Sequence, residues 1–95
     1  MKSILVLIKD REQQYEGLRT SLGALLEMAS VSMVVLNYEI ADMNEAYEEN
    51  MHFLDEMEGE RFSNHQANVD KYGFIFLTMA ELGQKVKEAD IVIPF

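Results

Sequence analysis

Gly73–Phe95 reads GFIFLTMAELGQKVKEADIVIPF, and the order of its parts decides the fold. Phe74-Ile75-Phe76-Leu77 is a continuous apolar run, too short for a helix and rich in β-forming side chains. That is the pattern of a strand covered on both faces. Thr78 and Glu81 fit a capping box, in which the hydroxyl takes a backbone N–H one turn on and the carboxylate reaches back to the cap's own N–H. Leu82, Val86 and Ala89 follow at i, i+4 and i+7 as a narrow apolar stripe. Asp90 breaks the period, and Ile91-Val92-Ile93 begins another buried strand. A strand, a capped helix and a second strand in so short a span predict a right-handed βαβ crossover.

Working outward, the rest of the chain repeats the pattern. Ile4–Ile8 is a buried first strand ended by Lys9-Asp10. Leu18, Leu22, Leu25, Leu26 and Ala29 recur at helical spacing, predicting a helix over 13–28. Ser30-Val31-Ser32 turns the chain into a second strand at Met33–Leu36, which continues towards Ile40. Met43–Met57 is a second helix whose apolar arc holds Met43, Ala46, Tyr47, Met51, Phe53, Leu54 and Met57. Between Glu58 and Tyr72 the periodicity fades, and either a short strand near Arg61–Ser63 or a ragged helix through Gln66 fits. The expected fold is α/β: one domain, 1–95, built as a three-layer sandwich on a mainly parallel sheet of four to five strands. Pro94 cannot donate to a ladder, so its strand belongs at an edge or ends there.

Composition narrows the function. The 95 residues are 48% apolar and 26% charged, ordinary values for one folded domain. A formal charge of −9 with scattered Lys and Arg argues against nucleic acid or an anionic membrane as partner. Met1-Lys2-Ser3 precedes an apolar run too short for a signal-peptide core, and nothing approaches the ~20 apolar residues of a membrane span. A cytoplasmic location is expected. With no cysteine there is no disulfide, thiolate metal site or thiol nucleophile.

No dinucleotide fingerprint or phosphate loop follows the first strand, so no nucleotide or flavin cofactor is expected. A receiver-type phosphoacceptor lacks the acids that should accompany Asp10. His52 lies among Glu48, Glu49, Asp55 and Glu56, but opposite the apolar arc, so a solvated acidic face is expected rather than a metal site. The run from Asp42 to Glu60 is acidic without a base, a solubilising surface or a dock for a basic partner. His65 has no second ligand at useful spacing. In open parallel sheets ligands sit beyond the carboxyl ends of the strands. Those ends place Lys9, Asp10, Asn37, Ser63, Asn64 and Thr78 as candidate ligand contacts, Lys9 for an anion and Thr78 in competition with its capping duty. Tyr47 and Met51, at one edge of the second helix's arc, are candidate subunit contacts.

The segment Thr78-Met79-Ala80-Glu81-Leu82 through Glu88-Ala89-Asp90-Ile91-Val92 to Phe95 resembles the ending of the DsrE/DsrF-like proteins, small cytoplasmic α/β domains of sulfur relay. The order of the preceding elements resembles that family too, so the likeness covers most of the chain. It implies a sheet of DsrE/flavodoxin-like type and assembly into dimers, trimers or hexamers with itself or with paralogous subunits. Active members of that family carry a persulfide cysteine in the loop after the strand that follows the second helix. The matching region here is about Phe62–Asn68, near Ser63 or Asn64, and it holds no cysteine. A hydroxyl or amide cannot carry a persulfide, whose chemistry needs thiolate sulfur. The resemblance therefore implies a non-catalytic, oligomerising domain that binds a protein partner or small ligand. The alternatives are a cysteine-independent enzyme working through Lys9, Asp10 or Ser63, and an unrelated small α/β ligand-binding domain.

Overall fold

A computed structural model of the chain describes residues 2–41 and 43–95, so Asp42, the head of the acidic run, lies outside the described residues. The elements are β1 (Ser3–Ile8), a 3-10 turn (Arg11–Gln13), α1 (Gln14–Leu26), β2 (Ser30–Val35) and α2 (Glu45–Glu56). They continue with β3 (Glu60–Ser63), α3 (Gln66–Tyr72), β4 (Ile75–Phe76), α4 (Met79–Glu88) and β5 (Ile91–Pro94). The five strands form one sheet in the order β4-β3-β2-β1-β5, every neighbouring pair parallel. The expected α/β sandwich is therefore present, and the fifth strand sits in the stretch whose periodicity fades.

Strand order sets the layers. From β1 to β4 the chain steps in one direction, and α1, α2 and α3 lie over one face. Leu18, Leu25, Tyr47, Met51 and Leu54 pack there on Val6, Ile8, Val31, Met33 and Val35. The chain then returns across the whole sheet to β5, and a right-handed return puts its helix on the other face. There Leu82 of α4 packs on Leu5, Val34 and Phe62.

Several boundaries differ from expectation, each for a physical reason. Ser30-Val31-Ser32 is already strand, because Ser3, Ile4 and Leu5 of β1 pair with it. Beyond Val35 the chain leaves the ladder: Asn37 adopts a left-handed φ of 69° and redirects it. Asn44 caps α2 by accepting the Tyr47 N–H at 2.8 Å, which starts that helix after Met43. The faded stretch holds both a strand, β3, and a helix, α3. That helix ends at Gly73, whose φ of 73° suits a residue without Cβ. The Phe74–Leu77 run is not covered on both faces. Phe74 and Leu77 are buried, but Ile75 and Phe76 form an edge strand and are 49% and 46% exposed. Ile91 and Val92 are likewise part-exposed on the opposite edge. An apolar run looks the same at an edge as in the centre, because covering depends on neighbours supplied from elsewhere in the chain.

Pro94 occupies an edge strand, as expected. The Phe95 N–H donates to Leu7 O at 2.7 Å, and Phe95 O accepts from the Lys9 N–H at 2.9 Å. Alternation along a parallel ladder then turns the backbone of Val92 and Pro94 outward, where proline has no N–H to offer.

Candidate functional site

The carboxyl ends of β1 to β4 gather the residues that the sequence singled out. Asp10 caps the 3-10 turn, its Oδ1 accepting the Glu12 N–H at 2.9 Å. Lys9 beside it is exposed, and its ammonium makes no hydrogen bond among the described residues. Asn37 and Asn64 come together across β2 and β3. The Asn37 N–H donates to Asn64 Oδ1 at 2.8 Å, and Asn64 Nδ2 donates to Asn37 Oδ1 at 2.9 Å. Asn64 Nδ2 also lies 3.8 Å from Met79 Sδ, tying the pair to the start of α4.

Ser63 differs from its expected role. It is fully buried. Its Oγ donates to Val35 O at 2.8 Å and accepts from the His65 N–H at 3.1 Å and from Asn68 Nδ2 at 3.0 Å. A hydroxyl has one donor and two acceptor sites, and all three are used. No ligand reaches it. Thr78 serves its capping duty: its N–H donates to Glu81 Oε1 at 2.8 Å while its Oγ1 accepts the Glu81 N–H at 3.1 Å. Hydrogen bonding from the Thr78 backbone and then its side chain holds the Glu81 carboxyl below its ordinary pKa. His65 caps α3, Nδ1 accepting the Ala67 N–H at 3.3 Å.

Asn68, which sequence reasoning missed, organises this rim. Its Oδ1 accepts the Ile40 N–H at 2.9 Å, and its Nδ2 donates to Tyr38 O at 2.9 Å and to Ser63 Oγ. It is completely buried and replaces, for the loop after β2, the backbone partners that a sheet would supply. An asparagine in a polar stretch carries no local signal of this duty.

A second concavity, about 300 Å³, lies between α2 and α3 and is lined in part by Met51, His52, Asp55, Arg61, Lys71 and Tyr72. Arg61 rises from β3 into it and grips both Asp55 oxygens, at 2.8 and 2.9 Å. It also donates to Tyr72 O at 2.8 Å and stacks 4.9 Å from the Phe74 ring centroid. This cation is a strut between helix and sheet, its bidentate geometry already spent on Asp55. Lys71 pairs with Glu39 at 2.8 Å, which holds the Glu39 carboxyl low and the Lys71 ammonium high. His52 is exposed, as expected, and no group of His, Asp and Glu among the described residues could hold a metal ion.

The two subunit contacts chosen from the helical wheel are corrected. Tyr47 and Met51 are 1% and 6% exposed, packed into the core beneath α1 and α2. Burial pushes the Tyr38 phenol up to about 12 and also raises that of Tyr47. Phe53, from the same arc, is instead half exposed, because α1 covers only one flank of α2.

Exposed apolar side chains are spread over both faces: Leu26 and Met28 at the end of α1, Phe53 on α2, Met79 and Val86 on α4, and Ile75, Phe76, Ile91 and Val92 on the edge strands. Ile75, Met79, Val86 and Val92 are 49%, 59%, 40% and 36% exposed. The α4 stripe expected to bury Leu82, Val86 and Ala89 buries Leu82, half-buries Ala89 and leaves Val86 out.

Fold and site together define a five-stranded parallel α/β domain with a hydrogen-bonded, structurally committed rim at the strand ends. In comparisons with known proteins, no family model, curated protein or solved structure matched this chain. Among the described residues no helix is long and apolar enough to cross a membrane.

Proposed function

We propose that this chain is a non-catalytic assembly domain of the DsrE/DsrF-like kind, working by holding other protein chains together rather than by transferring sulfur. The observation that carries this reading is the contrast between the committed rim and the apolar side chains left exposed elsewhere on the domain. In the region where active relatives would carry a persulfide, Ser63 and Asn64 stand hydrogen-bonded into the fold. The apolar side chains that a binding surface needs are exposed instead elsewhere, at Val86 and Val92 around α4 and at Leu26 and Met28 at the end of α1. In a cytoplasmic sulfur-relay setting such a subunit contributes surface and geometry while another chain carries the sulfur.

The purified chain tested by sedimentation velocity over a wide concentration range is expected to form species heavier than one chain. A single-chain mass throughout would overturn the assembling role. Incubation with a persulfide donor is expected to leave the chain unmodified, because it has no thiol.

A further inference from the structure

We infer that Gln14, Tyr38 and Tyr47 hold one water molecule inside the protein, shared between the starts of α1 and α2 and the loop after β2. Buried polar side chains are uncommon enough that each asks for a reason. Ser63 and Asn68 satisfy their polar atoms within the chain, but these three residues do not. Gln14 Oε1 and the hydroxyls of Tyr38 and Tyr47 have no hydrogen-bond partner among the described residues. The three residues are 8%, 7% and 1% exposed, so bulk solvent does not serve them. An enclosed polar atom left alone destabilises a fold, and three of them together call for an occupant.

The topology brings the three to one place. α1 and α2 both start at the carboxyl ends of the strands, and Tyr38 lies in the loop at the same ends. Gln14 is the first residue of α1, and Tyr47 is in the first turn of α2. Tyr15, next to Gln14, has its ring centroid 6.3 Å from that of Tyr47, so the two helix starts lie side by side. Arg11, in the turn that leads into α1, holds its guanidinium carbon 5.4 Å from the centre of the Tyr38 ring. Helical side chains lean towards the N-terminus, which directs Gln14 and Tyr47 to the rim where Tyr38 sits. Tyr38 and Tyr47 share one core cluster, and each phenol is near enough to feel a charge on the other.

The three atoms match water better than they match one another. None bonds to another, and polar groups facing across a longer gap are joined by a bridging molecule. Burial keeps both phenols protonated well above neutral pH, so each has a proton to donate. The Gln14 carbonyl oxygen can only accept. One water accepts from both hydroxyls and donates to Gln14, which gives the ~3 bonds usual for an internal water. An anion would be repelled by the Gln14 oxygen, and a larger solute does not suit side chains so well enclosed. The water ties two helix starts to the loop at the strand ends, where open parallel sheets take their ligands.

Magnetic relaxation dispersion of the water oxygen counts long-lived internal waters and tests the site on the purified chain. Substituting Tyr38→Phe and Tyr47→Phe together is expected to remove one such water, and an unchanged count overturns the inference. Each single substitution keeps the ring and removes only an oxygen, so the fold is retained. Each is expected to lower the folding equilibrium constant about fivefold, as for one ordinary hydrogen bond. The two losses should be less than additive, because one water serves both hydroxyls. Hydroxyls without a bridge behave oppositely, since removing an orphaned buried O–H favours folding. A gain in stability in either variant therefore also overturns the shared water.

Discussion

The two faces of the sheet are built from similar strands and finished differently. Beneath α1 to α3, β1 and β2 present Val6, Ile8, Met33 and Val35, each with no exposure. On the α4 face the same strands present Leu5 and Val34, equally well covered, but the cover stops at the edges. The difference lies in the number of helices, three against one, and not in the composition of the strands. At the edges the two faces are alike: Ile75 and Val92 stay exposed on the α4 side, and Phe76 and Ile91, their neighbours on β4 and β5, on the other.

Substitutions can break this comparison. The largest effect is expected under the three helices: Leu54→Ala, at a site with no exposure, should cost about 3 kcal/mol in denaturant unfolding. Val92→Ala at the edge of the α4 face should cost less than about 1 kcal/mol, since part of that side chain is already in water. Equal losses would mean that exposure at the sheet edge does not set the cost.

The glycines sharpen the contrast. Gly17→Ala would drive a methyl into Ile8 under α1 and is expected to destabilise by ~2 kcal/mol. Gly83→Ala meets nothing and should stabilise the dilute single chain by about 0.8 kcal/mol through helix propensity. A loss at position 83 would reveal a role inside the chain that its open surroundings do not suggest.

Smaller again is the cap that anchors α4. Thr78→Ala should cost ~1 kcal/mol, read as earlier thermal unfolding of α4. The same cap predicts a pH dependence. Glu81 is held below its ordinary carboxylate pKa by Thr78, so its contribution is present above the unfolded-state value and is lost as pH falls through the lowered folded value. The protection of first-turn amides of α4 against exchange, relative to the free-chain rate at each pH, should fall on acidification before that of α1, whose first turn has no side-chain cap. Simultaneous fraying would show that the cap does not govern this end.

Much of the architecture was legible in particular residues. Ile4–Ile8 and Ile91–Ile93 announce strands, Thr78 and Glu81 a helix start, and Pro94 an edge, because each signal is carried by neighbours in the chain. The candidate site was less legible. Asn37 and Asn64 were placed at the strand ends correctly, but their mutual bonding joins residues distant in sequence. Ser63 looked available and is enclosed, while Asn68 and Arg61 looked ordinary and are struts. Each of these duties is set by a partner that local pattern does not name.

The sequence by itself determined the alternation of strand and helix, the parallel class of the sheet and the absence of any thiol chemistry. Periodicity, capping and composition depend on the chain's own order, so they need no fold to be read. Only the tertiary structure decided that β4 and β5 lie at opposite edges, that Tyr47 and Met51 are core, and that Met79, Val86 and Val92 remain in water. Exposure is a relation between elements far apart in the chain, fixed by which strand ends up beside which and by how many helices cover each face.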